Sequence, residues 1–215
     1  MAVTAVDIKS RVEFDSGTSW GEFGPYERID GVVEFGVDPE NSANVGIIDL
    51  QHSPVGSAGL VKFSSDFVLV TPSNKQSSRL LVDVVNRGRI RAIPDFNMAS
   101  PNLTPSATID PGDGFLFERG YTVVSIGWQY DVYRSESLLG MDPPPIELNG
   151  KPVEGTNLVE IRPNEKIKNS LLANRIHKPY PASSTNNAKA TMYVKDWEDG
   201  PQEEIPRTEW SFSKE

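Results

Sequence analysis

The chain has 215 residues, of which 37 % are hydrophobic and 24 % charged, enough for one large domain or two small ones around a core. A net charge of −9 and a pI of about 4.8 argue against nucleic acid, whose binders carry a basic face. No run of about eighteen apolar residues occurs that could cross a bilayer as a helix, and the lack of cysteine excludes disulfides, thiolate catalysis and sulfur-ligated zinc.

With 17 glycines and 17 prolines, turns should be frequent and strands should outnumber helices. The start of the chain, Met1 to Asp7, lacks the basic and apolar blocks of a signal peptide, so a cytoplasmic location is the expectation. Ala5 to Phe14 alternates apolar and polar residues and predicts one or two half-buried strands. Asp15 to Tyr26 reads as a loop. Arg28 to Val37 predicts a strand closed by Asp38-Pro39, and Val45 to Leu50 a further short one. Leu60 to Phe63 and Phe67 to Val70 continue the pattern, with Ser64-Ser65-Asp66 as a bulge or turn between them. Together these segments form an antiparallel meander.

A different unit follows, from Arg79 to Val132. Leu80 to Val85 is a short β-branched run that stops at Asn86-Arg87-Gly88. Asp110-Pro111-Gly112-Asp113 introduces a short helix, Phe115 to Arg119, closed by Gly120, and a second apolar run, Tyr121 to Trp128, follows at once. Two such strands with a helix between them read as a βαβ unit, because parallel strands need a crossover of at least about a dozen residues. Such units place loops for chemistry at the carboxyl ends of their strands.

Ser135 to Pro145 reads as a linker ending in Pro143-Pro144-Pro145, and Asn149-Gly150 between Ile146 and Val153 is a hairpin signal. Leu158 to Ile161, Ala190 to Val194 and Thr208 to Phe212 are further strand candidates. Ile167 to Arg175 could add a helical turn or two before Pro179-Tyr180-Pro181 stops it. Residues 1–134 are thus antiparallel strands leading into the βαβ unit, and residues 135–215 a strand-rich extension of the same domain. The fold class is α/β, with an incomplete, mixed and mostly β sheet.

Gly17-Thr18-Ser19-Trp20-Gly21 matches the G-x-S-x-G nucleophile elbow, which works only where a strand turns straight into a helix. Gly24-Pro25 stands where that helix would be, and the motif precedes the βαβ unit, so Ser19 reads as a decoy. His52 and His177, the two histidines, lie in ordinary-looking loops. The acidic stretch with Asp196, Glu198, Asp199, Glu203 and Glu204 reads as a solvated face. Asp83, inside an apolar strand, needs an arginine or backbone donors as partner. At Asn86-Arg87-Gly88 a glycine lets amides face a cleft, as in an oxyanion hole, although a plain strand-ending turn explains the same residues.

Several blocks, in order, resemble a known family. They are Phe23-Gly24-Pro25-Tyr26-Glu27-Arg28-Ile29-Asp30-Gly31, Val84-Val85-Asn86-Arg87-Gly88, Gly112 to Val124, and Gly127-Trp128-Gln129. Pro179-Tyr180-Pro181-Ala182, Glu204-Ile205-Pro206-Arg207 and Trp210-Ser211-Phe212 extend the likeness over nearly the whole chain. The resemblance is to the N-terminal part of the alpha/beta hydrolase domain-containing proteins, predicted serine hydrolases. It implies that Leu80 to Val85 is the strand before an oxyanion loop, Asn86, Arg87 and Gly88 that loop, and Tyr121 to Gly127 the next parallel strand.

The family's serine elbow, acid and histidine are expected beyond the Trp-x-Phe segment, and this chain ends at Glu215, so it lacks the catalytic half and no catalytic residue is assigned. No cofactor or metal is implied. The expected partners are an ester-like small molecule in the complete protein and either a missing hydrolase half or a second copy of the chain; nucleic acid and membrane are not expected. One hypothesis is therefore half of a serine hydrolase, inactive alone. The other is a non-catalytic β-rich binding or interaction module, with an enzyme built on Ser19 and His52 or His177 as a minor third. A half hydrolase should leave an apolar edge beside its parallel strands, whereas a finished module should cover or charge its edges.

Overall fold

The computed structural model describes residues 2–75, 78–100, 108–135, 138–173, 177–180 and 182–213. The chain divides into two compact units, Met1–Val153 with Arg175–Lys178, and Glu154–Asn174 with Pro179–Glu215. The first therefore reaches well past residue 134.

The first unit is built on a mixed seven-stranded sheet, mostly antiparallel. Its strands are β1 (Ala2–Glu13), β2 (Ser19–Trp20), β3 (Gly24–Val37), β4 (Val61–Pro72), β5 (Arg79–Val84), β6 (Tyr121–Ile126) and β7 (Met141–Asp142). The main path runs β1-β3-β4-β6-β5, with β2 beside β3 and β7 beside β4. The predicted parallel pair is present: β5 and β6 run from Arg79 opposite Tyr121 to Val84 opposite Ile126. The segment between them carries two short helices, α1 (Ala92–Phe96) and α2 (Phe115–Glu118). At Gly31 a side chain would strike the Asp7 carbonyl and the Phe67 ring, so glycine permits the close approach of β1.

Four expectations for the meander need correction. The strand predicted over Ala5 to Phe14 forms, as β1, but β1 is exposed along its whole length rather than half-buried. Val45 to Leu50 is not a strand: Ile47 and Leu50 donate backward to Asn44 and Ile47, Asp49 is left-handed, and Val45 and Ile48 are exposed. Local turns win there because no neighbouring strand offers a ladder. The break expected at Ser64-Ser65-Asp66 does not occur, since β4 pairs with β3 without interruption from Val61 to Pro72. The polar residues mark a change of partner on the other side, from β7 at Ser64 and Ser65 to β6 from Phe67 onward. The loop expected up to Tyr26 ends early, because β3 already begins at Gly24.

The main core lies between one face of this sheet and the two helices. Phe117 of α2, fully buried, contacts Phe14, Trp20 and Tyr26 at ring-centroid distances of 5.2, 5.5 and 5.0 Å. The Tyr26 hydroxyl donates to the Phe117 carbonyl at 2.9 Å, and burial pushes that phenol's pKa up. Helices of four and five residues cannot stand on propensity alone. Buried Asn97 joins them instead: its Oδ1 accepts from Leu116 N (2.9 Å) and its Nδ2 donates to the Pro111 carbonyl (2.8 Å). Asp110 accepts from the Gly112 and Ser100 amides, which hold its carboxyl below the ordinary value.

Leu139 is buried in the main core and β7 joins the sheet, so the described part of 135–145 is structural rather than a linker. The Asn149-Gly150 hairpin is present as β8 (Glu147–Leu148) and β9 (Lys151–Pro152), with both turn residues at positive φ.

In the second unit, β10 (Tyr193–Val194) pairs with β11 (Glu203–Glu204), whose two glutamates lie in the acidic stretch and are exposed. Leu158 to Ile161 is not a strand, and a 3-10 turn, Arg207–Glu209, overlaps the expected C-terminal one. None of the described residues of this unit is buried, and a strand without a buried face has little to hold it extended. Residues 167–173 form no helix; the remainder of that expectation, like Pro181, lies outside the described residues. Among the described residues no helix is long and apolar enough to cross a membrane.

Candidate functional site

Because β5 and β6 are parallel and in register, the loops that leave their carboxyl ends emerge side by side. Beyond β5, buried Val85 leads into a tight turn in which Arg89 N donates to the Asn86 carbonyl at 3.2 Å. Arg87 and Gly88, its two central residues, have φ of 52° and 79°. This is the geometry of a type I′ turn, costly for arginine and easy for glycine. A Cβ on Gly88 would lie 2.8 Å from Val132 Cγ1 and 2.9 Å from the Leu139 carbonyl, so glycine is required for space as well.

The loop beyond β6 holds that turn. Gln129 Oε1 accepts the Arg87 amide at 2.6 Å, and the Arg87 guanidinium pairs with the carboxylate of largely buried Asp131. Leu139 N donates to the Gly88 carbonyl at 3.0 Å. Lys178 donates its amide to the Asp131 carbonyl at 2.8 Å and sets its ammonium 4.2 Å from the Tyr130 ring centroid, bringing residues 177–178 beside this loop. Trp128 stands well exposed on the same loop.

The structure thus gathers Asn86, Arg87 and Gly88 into one turn at the carboxyl end of a parallel strand. One of its amides is already bonded, to Gln129. Sequence reasoning missed Gln129, Asp131 and Lys178 as neighbours of this turn. A signal existed for the first two, since aligning the ends of the two predicted parallel strands places the residues after each next to one another; nothing local marks Lys178.

Asp83 takes the backbone-donor solution. Its Oδ2 accepts from Arg91 N (2.9 Å), Ala92 N (3.1 Å) and Ser125 Oγ (3.1 Å), supplying the cap that Arg91 cannot give to α1.

Ser19 lies far from both histidines. It pairs with Pro25 at the start of β3, and the adjoining Trp20 packs on α2 just before β6 begins. His52 follows Leu50, which packs with Val37 and Val61 where β3 ends and β4 begins. The fourteen residues of β3 separate the two by on the order of 40 Å. Lys178, next to His177, lies beyond the other end of six-residue β6, roughly 20 Å from Ser19. Among the described residues no cluster of three or more His, Asp or Glu could hold a metal ion.

No protein-family model, curated protein or solved structure matches the chain.

Proposed function

We propose that this chain is the N-terminal portion of an α/β-fold serine hydrolase acting on an ester or related acyl substrate, inactive by itself because the nucleophile, acid and base segments are not in it. The observation that carries this reading is the state of β5. Among the described residues it is the outermost strand of the sheet, parallel to its one partner, and Leu80, Val82 and Val84 are each more than half exposed. Parallel strands normally lie inside a sheet with both faces covered. A further parallel strand beside β5 would pair its free edge and bring a new strand end next to the Asn86–Arg89 turn, and the crossover leading to that strand would cover those side chains. That is where an elbow serine would need to stand for an amide of the turn to face its acyl oxygen.

The charged and bulged outer strand at the opposite side of the sheet favours the second reading, a finished binding module. That strand is as far from β5 as the sheet allows, so it does not weigh against completion at β5.

The test is hydrolysis of p-nitrophenyl acetate and butyrate, with fluorophosphonate labelling, by the 215-residue chain alone and joined to the segment encoded after it. The chain alone should neither turn over nor label, and the longer product should do both. Labelling of the short chain that disappears in Ser19→Ala overturns the proposal, as does a longer product that stays inert.

A further inference from the structure

In a type I′ turn the amide of the first central residue takes no part in the turn's own hydrogen bond, which here runs from Arg89 N to the Asn86 carbonyl. The Arg87 amide therefore projects from the turn and needs an acceptor from elsewhere. It finds one in the Gln129 side chain, a neutral amide oxygen on a flexible stem that is only partly buried. We infer that Gln129 Oε1 occupies the position at which the Arg87 amide receives an anionic oxygen, so that the turn is a closed site opened when the Gln129 side chain swings out. The inference rests on the hydrolase reading for the identity of that oxygen, a carboxylate or the oxyanion of an acyl group; the closed site itself does not.

Several features fit displacement better than a permanent staple. A side-chain amide presents the same acceptor chemistry as an ester or carboxylate oxygen, so it can hold the place without distorting the turn. Exchange replaces a neutral hydrogen bond with a charge-assisted one, which is about twice as strong. The turn keeps its shape when Gln129 leaves, because the Arg87–Asp131 ion pair and the bond from Leu139 N to the Gly88 carbonyl hold it independently. The departing glutamine can bond to water at little cost, since it is not deeply buried.

The experiment follows the backbone amide of Arg87 by ¹⁵N NMR in the full 215-residue chain during titration with sodium butyrate, against sodium chloride at equal ionic strength. Gln129→Ala should respond to butyrate with affinity about tenfold above the wild type. Gln129→Glu, which sets its own carboxylate against the amide, should not respond. Equal responses in wild type and Gln129→Ala, no response in Gln129→Ala, or the same shift with chloride overturns the inference. Should Gln129→Ala fail to fold, the wild type and Gln129→Glu decide: a weak saturable response in the first and none in the second supports the closed site, and any other pair of results overturns it. An inert longer gene product would remove the hydrolase reading but leave the butyrate result standing, and an active one would not rescue a failed titration.

Discussion

The two outer strands of the sheet differ in kind. β1 is twelve residues long, exposed along its whole length, and its register with β3 slips twice, after Val3 and after Ile8. It carries Asp7, Lys9, Arg11 and Glu13 among its apolar residues. β5 is half as long, keeps perfect register with β6, and engages both of its charged residues, of which Arg79 stays exposed and Asp83 is partly buried. Arg79 donates to the Arg119 carbonyl at 2.6 Å, and Asp83 caps α1. Of its apolar residues β5 leaves Leu80, Val82 and Val84 to solvent. Bulges and charges are the devices by which a strand refuses a further neighbour; β1 has two bulges and four charges, whereas β5 has no bulge and two charges, both engaged within the chain. One edge carries these devices in full and the other far less.

That contrast can be broken from behind. The helices cover one face of β5 and β6, and Phe117 is the centre of that cover. Phe117→Ala should cost about 3–5 kcal/mol in urea unfolding, through lost burial and the cavity left among three aromatic neighbours. If the exposed face of β5 is independent of this cover, self-association measured on the folded fraction should not change. Asp83→Ala comes next, at about 1–3 kcal/mol, because the Arg91 and Ala92 amides lose their common acceptor. Hydrogen exchange at those two amides should accelerate ahead of the rest of the sheet.

The same covered side predicts an alkaline limit. Burial raises the Tyr26 pKa in the folded chain above its ordinary 10.0, so the folded state holds the phenolic proton more tightly than the unfolded chain does. This contribution is fully present below pH 10 and is lost as pH rises beyond it, at roughly 1 kcal/mol per pH unit. Tyr26→Phe should flatten that slope in denaturation series run from pH 9 to 11, after an initial loss of about 1 kcal/mol for the bond to the Phe117 carbonyl.

The smallest free-energy changes sharpen the contrast most. Val82→Lys and Lys9→Val lie on exposed positions and should each move stability by about 0.5 kcal/mol or less. They should move association in opposite directions, Val82→Lys suppressing and Lys9→Val promoting concentration-dependent species in sedimentation velocity. Identical profiles for the two variants would mean that the edges do not differ in the way described.

The parallel pair was legible because two apolar runs flank a helical segment, and β1 because its residues alternate, although the burial that alternation promises is not there. Continuity was harder to read. Ser64, Ser65 and Asp66 look like an interruption in isolation, yet Ser65 is buried and its hydroxyl donates to the Gly127 carbonyl. A polar residue satisfied by a partner sixty residues away leaves no local trace of being core. Val45 to Leu50 failed in the opposite sense, since its apolar letters promise burial that no neighbour supplies. At the candidate site the turn itself could be read from Asn86-Arg87-Gly88, but the acceptor of the Arg87 amide could not, because it depends on how two strands align across the crossover.

The path β4-β6-β5 inverts chain order, and this has a consequence for the protein as it is made. Among the described residues β5 pairs only with β6, whose last residue is Ile126, whereas β5 ends at Val84. At typical elongation rates the forty-two residues between those points (126 − 84) occupy a ribosome for roughly 2–8 s. Throughout that interval β1, β3 and β4 have emerged and can zip together, while Leu80, Val82 and Val84 have no partner in the growing chain. The strand that ends at the edge of the finished sheet also waits longest during synthesis, and the stretch most in need of a chaperone's protection is the one on which the proposed site is built.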